Sequence, residues 1–404
     1  MQLTSSAAGA SLESLSTGRG RSLTTRGLAT GLKLGEEAIL HAGLFADIGY
    51  DTNVFYGTKD GTSPAPVLHI TPRLEISNAA RDGTIPSGTY YDVSGSVNIV
   101  RYLVGSGEQE ITEQNAVNPS VGGMAQFSSG QALSFTLSEV FSRFQQAPYT
   151  KSTNVLTRNN NMASASLTFA PGGGRLRVML RYSNLIDKYE DTFDSGSNMG
   201  NEGVLDIGWR WLPRTTIYVK AAQGAITYFS SGRSSSYPLR TLLGLRGLLT
   251  EKLSVNLAAG YSNAFYSTGS NPSGLGNLGA VAEINYAMSL LSRAGLGYHH
   301  DFVNSPFVGQ FYYLDAVYFA YQQIVASRLV TYLNGRYEHR RYGTETRSDD
   351  TTTAGAAIDY MIGKFLLAGA SYALSLNRTT LHTGPGAGID YTKHVFLFRL
   401  GVVY

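Results

Sequence analysis

The chain has 404 residues with 46 glycines, 26 tyrosines, 17 phenylalanines, no cysteine and only 15% charged residues, at a formal net charge of +3. The missing cysteines exclude a disulfide framework and thiolate–metal chemistry, and so small a charge without a basic block argues against a nucleic-acid partner. No apolar run approaches the roughly 20 residues of a membrane-spanning helix, so composition permits a membrane protein of strands and argues against one of helices.

Residues 1–35 are rich in Ser, Gly, Thr and Ala, carry Arg19, Arg21 and Arg26, and show no steady period. They read as a periplasmic tail or a segment folded into a lumen. Residues 1–34 lack the apolar core of a secretory leader. A chain bound for an outer membrane is therefore expected to be a mature or recombinant form with an added start Met.

Residues 36–404 read as one domain in which strand follows strand. Leu40, Ala42, Leu44, Ala46, Ile48 and Tyr50 form a first apolar row, with His41, Phe45, Asp47 and Asp51 between them. Such period-two alternation is a strand signal. Further strands are predicted near 66–78, 89–103, 119–128, 131–145, 160–170, 175–190, 202–213, 215–229 and 236–250. The series continues near 252–266, 277–289, 292–304, 309–325, 328–342, 351–363, 364–379 and 390–404, about eighteen strands in all. At 175–190, Leu176, Val178, Leu180 and Tyr182 oppose Arg175, Arg177 and Arg181, and arginines cannot face hydrocarbon cheaply.

The connections alternate between long polar stretches (51–65, 104–118, 146–159, 191–201, 230–235, 267–276, 343–350, 380–389) and very short ones (128–130, 172–174, 213–214, 251–252, 290–292, 326–327, 363–364). Only 79–88 and 303–306 break the rule. Outer-membrane barrels have short periplasmic turns and long external loops, and both termini on the turn side require an even strand number. A soluble sandwich gives no reason for this regularity. A propeller would need four strands per repeat and recurring signature residues. The predicted fold is all-β, a transmembrane antiparallel β-barrel of about eighteen strands with both termini periplasmic.

The final stretch, 391–404, reads YTKHVFLFRLGVVY. Phe396, Phe398, Leu400, Val402 and Tyr404 line one face, whereas Lys393 and Arg399 lie on the other. This resembles the closing strand of bacterial outer-membrane proteins, whose terminal aromatic and alternating apolar residues are read by the barrel assembly machinery. Aromatics near strand ends (Tyr50, Phe55, Tyr56, Tyr90, Tyr91, Trp209, Trp211, Tyr261, Phe265, Tyr266, Tyr337, Tyr342 and Tyr404) fit interfacial girdles against the outer-membrane lipid.

On the predicted lumen face lie Arg175, Arg177, Arg181, Arg210, Arg240, Arg246, Arg293, Arg336, Arg340 and Arg399. Acids expected to line the pore with them are Asp47, Asp206, Glu283, Asp315, Glu338 and Asp359, joined by Asp301. Asn98, Asn256, Asn285, Asn334 and Tyr332 add neutral groups. Such residues hydrate and cross-link any water-filled wall, but the excess of arginine over acid predicts a mildly electropositive pore. Eighteen strands about 4.8 Å apart and tilted about 40° give a backbone diameter of about 35 Å, wide enough for an extended sugar chain.

Signals for chemistry are weak. No G-x-S-x-G, H-E-x-x-H or P-loop pattern occurs, and Gly384-Pro385-Gly386-Ala387-Gly388 reads as a loop. His299 and His300 are neighbours on a strand and point to opposite faces. Ser183, His339 and Asp359 have nothing tying them together. No enzyme activity, cofactor or metal is expected.

The stretch Gly49-Tyr50-Asp51-Thr52-Asn53-Val54-Phe55 resembles the start of the β-barrel porin 2 family of Gram-negative outer-membrane proteins. Pro72 in the second strand, the Tyr-rich strands and the aromatic end strengthen the likeness. It implies a channel exporting a secreted polysaccharide with a periplasmic polysaccharide-export partner. The residues themselves leave open a general or anion-preferring diffusion porin, and a structural or adhesive barrel closed by residues 1–35.

Overall fold

The computed structural model describes residues 31–404 apart from 36–37, 59–61, 80–85, 106, 147–154, 173, 270, 273–276, 290, 306–309, 327, 344–345 and 383–387. The proposed tail or plug at 1–30 and the glycine-rich stretch at 384–387 lie outside the described residues. Of the expected N-terminal segment, Leu32–Leu34 form a short strand, β1. Its three residues were too few to show a period in the sequence.

The barrel strands follow in chain order: β2 (Ala38–Asp51), β3 (Ala65–Ser77), β4 (Gly88–Tyr102), β5 (Ala116–Ser129), β6 (Leu133–Gln146), β7 (Leu156–Phe169), β8 (Leu176–Tyr189), β9 (Asn198–Leu212) and β10 (Thr215–Tyr228). The remainder are β11 (Leu239–Leu248), β12 (Leu253–Asn263), β13 (Leu278–Ser289), β14 (Ser292–Asn304), β15 (Phe311–Val325), β16 (Leu329–Tyr342), β17 (Ser348–Ile362), β18 (Leu366–Thr379) and β19 (Tyr391–Val403). Each pairs antiparallel with the next, and β19 returns to β2 from Val395↔Asp51 to Val403↔Gly43. The result is a closed eighteen-stranded antiparallel barrel. Closure leaves no long edge to pair with another chain.

Connections at one end, the turn end, are mostly tight (130–132, 213–214, 290–291, 326–328, 363–365), and those at the other, the loop end, are longer. The turn-end exception predicted at 79–88 persists, because β3 stops at Ser77 and β4 starts at Gly88. The expected tight turn at 303–306 is instead overrun by β14, which continues to Asn304, and β15 starts only at Phe311. One short helix, α1 (Gln109–Thr112), sits in the loop between β4 and β5 and buries Ile111 against Val54 and Ala65. Pro72 pairs with Leu44 on β2, but the β3–β4 ladder skips from Ile70↔Ile99 to Arg73↔Ser96, as expected of a residue with no amide N–H.

Alternation along the strands separates two surfaces. Outward residues are large and apolar, with Phe398 67% and Leu400 68% exposed on β19, alongside Leu44, Ile48, Leu180, Leu243 and Phe319. A surface this apolar over many strands has hydrocarbon, not water, as its solvent. On the inside there is no single core. The buried side chains form separate patches, such as Phe45 with Met361, Leu367 and Val403, and Tyr318 with Val330 and Tyr332.

One local device recurs. Tyr218 lies opposite Gly244, Tyr318 opposite Gly297, Phe319 opposite Gly335 and Phe45 opposite Gly401. In each case the ring covers the glycine, so a Cβ there would meet ring atoms at 2.5, 2.3, 2.3 and 2.5 Å respectively. The glycine supplies the space and the ring covers its backbone. Gly297→Ala is expected to push Tyr318 off its seat and to cost about 1–3 kcal/mol as an overpacking change. Urea unfolding of the refolded barrel measures this, and an unchanged midpoint would show that the ring can move freely.

Candidate functional site: the inner wall

The closed register decides which charges line the lumen. Outward-facing Val219, Leu243, Leu257, Leu296, Val317 and Leu333 fix the intervening positions of β10, β11, β12, β14, β15 and β16 as inward. By this parity Asp47, Arg177, Arg181, Asp206, Arg210, Arg240, Arg246, Glu283, Arg293, Arg336, Glu338, Arg340, Asp359 and Arg399 stand on the inner wall. Lys220 and Glu202 join them.

A continuous polar track crosses half this wall. Arg340 and Arg336 both bond Glu338, the latter at 2.5 Å. The Arg336 guanidinium lies 5.6 Å from the Tyr318 ring centroid. The Tyr318 hydroxyl donates to Glu283 at 2.7 Å, and Asn256 donates to the other oxygen of Glu283 at 3.2 Å. Tyr218 donates to Asn256 at 2.9 Å, and Arg246 lies 4.4 Å over the Tyr218 ring. Arg246 then grips Asp206 with two bonds of 3.0 and 2.7 Å, the planar fork that suits arginine to carboxylates. Higher on the wall Arg240 bonds Asp301 at 2.6 Å, with the Ser262 hydroxyl on the other oxygen at 2.5 Å. Arg181 lies 3.7 Å from Glu202.

Across the barrel, acid and base are matched one to one. Arg399 bonds Asp47 at 2.6 Å, Lys393 bonds Asp51 at 2.8 Å while lying 4.2 Å over the Tyr56 ring, and Arg73 bonds Glu75 at 3.0 Å. Arg158 grips Asp187 in the same way. The first of these pairs also ties the closing strand to β2.

Three inner-wall arginines break the pattern. Arg177 donates to the thioether of Met179 at 3.9 Å, Arg293 donates to the amide oxygen of Gln322 at 2.7 Å, and Arg210 makes no ion pair among the described residues. None of the three makes an ion pair there, although the charges of Arg246 and Asp206 both reach Arg177, whereas Asp47, Glu202, Asp206, Glu283, Asp301 and Glu338 are all bonded to a base, hydroxyl or amide. All three arginines lie towards the turn end, since Arg177 and Arg293 open their strands and Arg210 stands two residues before the end of β9. Unpaired positive charge is thus gathered at one mouth of the barrel.

Two expected pore residues lie elsewhere. Arg175 precedes β8 in an exposed turn, where its carbonyl accepts from the Arg210 amide at 2.8 Å, so it belongs to the rim. Asp315 faces outward. Its neighbours Val317 and Phe319 share the outer face of β15, and the Tyr298 hydroxyl and His300 Nδ1 hold it there at 2.6 and 2.8 Å. Three expected girdle aromatics, Tyr90, Tyr266 and Tyr342, are buried rather than lipid-facing. His299 faces inward, 3.9 Å from Asp301, opposite in sense to His300. Ser183 and Asp359 face the lumen from β8 and β17, whereas His339 faces outward.

The sequence reading missed the aromatic floor beneath the arginines. Arg240 lies over Phe302, Arg340 over Tyr312 and Arg399 over Phe45 at 4.5–5.7 Å. Each pair joins different strands, so only the register shows it. Stacking of this kind steadies a guanidinium whose N–H groups bond Asp301, Glu338 and Asp47 respectively.

No family model and no curated protein matches the chain, so the likeness to the β-barrel porin 2 family finds no support there. Solved structures do resemble it. Acinetobacter baumannii OccAB4 shares 9% identity over 92% of this chain and 100% of that one, at a TM-score of 0.46. Pseudomonas aeruginosa OpdK, solved with vanillate, shares 10% over 90% and 99%, at 0.45. The siderophore receptor PirA of Pseudomonas aeruginosa shares 8% over 90% and 80%, at 0.43. At this level of similarity the functional reading rests on the chain's own wall.

Proposed function

We propose that the chain is an integral outer-membrane channel, without catalytic activity, through which small solutes diffuse with a preference for anions. The observation that carries this is the set of Arg177, Arg210 and Arg293, which face the lumen near one mouth with no ion pair among the described residues. Fixed positive charge at an aqueous entrance concentrates anions and repels cations. The apolar outer belt and the tight turns support insertion in an outer membrane with both termini on the periplasmic side. Lipid and the barrel assembly machinery are its natural partners in that setting. Export of a polysaccharide, with or without a periplasmic export protein, drew on a resemblance that no family model carries.

Purified barrel in a planar bilayer is expected to conduct steadily and to show a reversal potential of anion-selective sign in a KCl gradient. Screening lengths are about 10 Å at 0.1 M salt and about 3 Å at 1 M, so the preference should be strongest in dilute salt. A channel that favours potassium at every salt concentration would sink this reading.

A further inference from the structure

The outer face of β14–β18 is not uniformly apolar. Near the loop end His300, Asp315, His339, Asp350 and Arg378 stand directly opposite one another on five successive strands. All five face outward, in line with Val317, Leu333 and Ile358 lower on the same faces. The row contains one unit twice. Tyr298 and His300 hold Asp315 at 2.6 and 2.8 Å, and Tyr337 and His339 hold Asp350 at 2.6 and 2.8 Å. In each unit a Tyr-x-His on one strand clasps an aspartate on the next.

The clasp has a consequence for the arginines beside it. Asp350 is paired in register with Arg378, yet Tyr337 and His339 both bond its Oδ1, and no ion pair joins it to Arg378. Arg378 is exposed and makes no ion pair among the described residues. Arg341, two residues beyond His339 on the same face, is also exposed and lies 5.0 Å over the Tyr313 ring, again without an acidic partner. The two residues stand two strands apart and two residues out of line, about 12 Å between their backbones. Neither guanidinium makes an ion pair among the described residues, and the aspartate nearest in register, Asp350, already accepts two bonds on Oδ1. Each histidine uses Nδ1 on its aspartate, which leaves Nε2 of His339, a 40% exposed side chain, for a ligand.

Position selects the partner. The row lies on the outer face towards the loop end, beyond Val317, Leu333 and Ile358 of the apolar belt, where an outer-membrane barrel would meet lipid headgroups. Two exposed guanidiniums without an ion pair among the described residues match phosphate, which accepts from both edges of the fork. We infer that the outer face of β14–β18 binds the phosphate groups of outer-leaflet lipid through Arg341 and Arg378. The tyrosine–histidine clasps engage Oδ1 of Asp350 and of Asp315 beside them. This rests on the reading of the barrel as an outer-membrane protein with its loops outside.

The folded full chain in detergent, mixed with lipid A and followed by native mass spectrometry, tests the assignment. Diphosphorylated lipid A is expected to be retained roughly tenfold more strongly than its dephosphorylated form. The double variant Arg341→Gln, Arg378→Gln should lose that preference while keeping the bilayer conductance of the parent. The paired Lys variant, with charge but no fork, should fall between. Equal retention of the two lipids, or an unchanged preference in the Gln variant, overturns the proposal even where conductance is intact. Displacement of bound lipid by millimolar inorganic phosphate also overturns it, by identifying a site for free phosphate. Should the Gln variant fail to fold, the two lipid forms on the parent barrel still decide the matter. Loss of conductance in the parent would count against the channel reading and leave this test untouched.

Discussion

Replacing Arg177, Arg210 and Arg293 together by glutamate is expected to reverse the channel from anion to cation preference. Each substitution changes the local charge by two units, and one unit charge about 4 Å from a passing ion is worth about 1 kcal/mol in water. The chloride-to-potassium permeability ratio should therefore fall by about tenfold or more, read as a change in sign of the reversal potential in a KCl gradient. None of the three makes an ion pair among the described residues, and Asp206, whose charge reaches Arg177, keeps its two bonds to Arg246, so the variant should fold. Reversal of Arg246 would not make the same point. It would leave Asp206 facing a second carboxylate and confound selectivity with loss of structure. A triple variant that folds and conducts with unaltered selectivity would move the selectivity filter away from this mouth.

Arginine in place of Phe398 is expected to produce the largest loss of assembly of any single change on the outer belt. Phe398 lies near the middle of β19, is 67% exposed and pairs with Ile48 on β2 and Ala370 on β18. A charge at the midplane of a lipid-facing strand costs about 2–4 kcal/mol, and here it falls on the strand that closes the barrel. The folded fraction after insertion into vesicles, read by the heat-dependent shift in gel mobility, measures it. Removal of Tyr404 should act in the same direction through a different cause. Its amide and carbonyl both bond Ala42, and its ring stacks on Phe365 at 5.5 Å. Insertion at the parent level without that ring would mean that the terminal aromatic is not a closing signal.

Strand positions were legible because the membrane barrel imposes period two on nearly every segment, and the tight turns mark where the period restarts. The side of each strand was harder to read where both faces carry rings. On β15, Tyr312, Leu314 and Tyr318 alternate with Tyr313, Val317 and Phe319, so the pattern does not say which row meets lipid. Placing Asp315 inside followed from charge alone. What reverses it is the pair Tyr298 and His300 on the adjacent strand, which meets the cost of an outward carboxylate near the membrane boundary, where that cost is small. Tyr90 and Tyr342 misled for a related reason, since an aromatic near a strand end serves a girdle or an inner patch according to parity, whereas Tyr266 lies beyond the end of β12 and packs with Phe302 and Phe311. Unpaired and paired arginines look alike in a sequence. Arg177 and Arg246 differ only through neighbours brought up by the closed register.

The rings seated over glycines carry a consequence for how such a chain can change over evolutionary time. Gly297 and Tyr318 lie on adjacent strands, and the space that one leaves is the space that the other fills. Neither position can drift alone. Enlarging the first without shrinking the second creates a clash, whereas shrinking the second first opens a gap and releases Glu283 from its tyrosine. Substitutions should therefore arise in pairs, small for large in one place and large for small in the other. Among relatives of this chain, the two columns should covary as one inherited unit even where the surrounding strand has been rewritten.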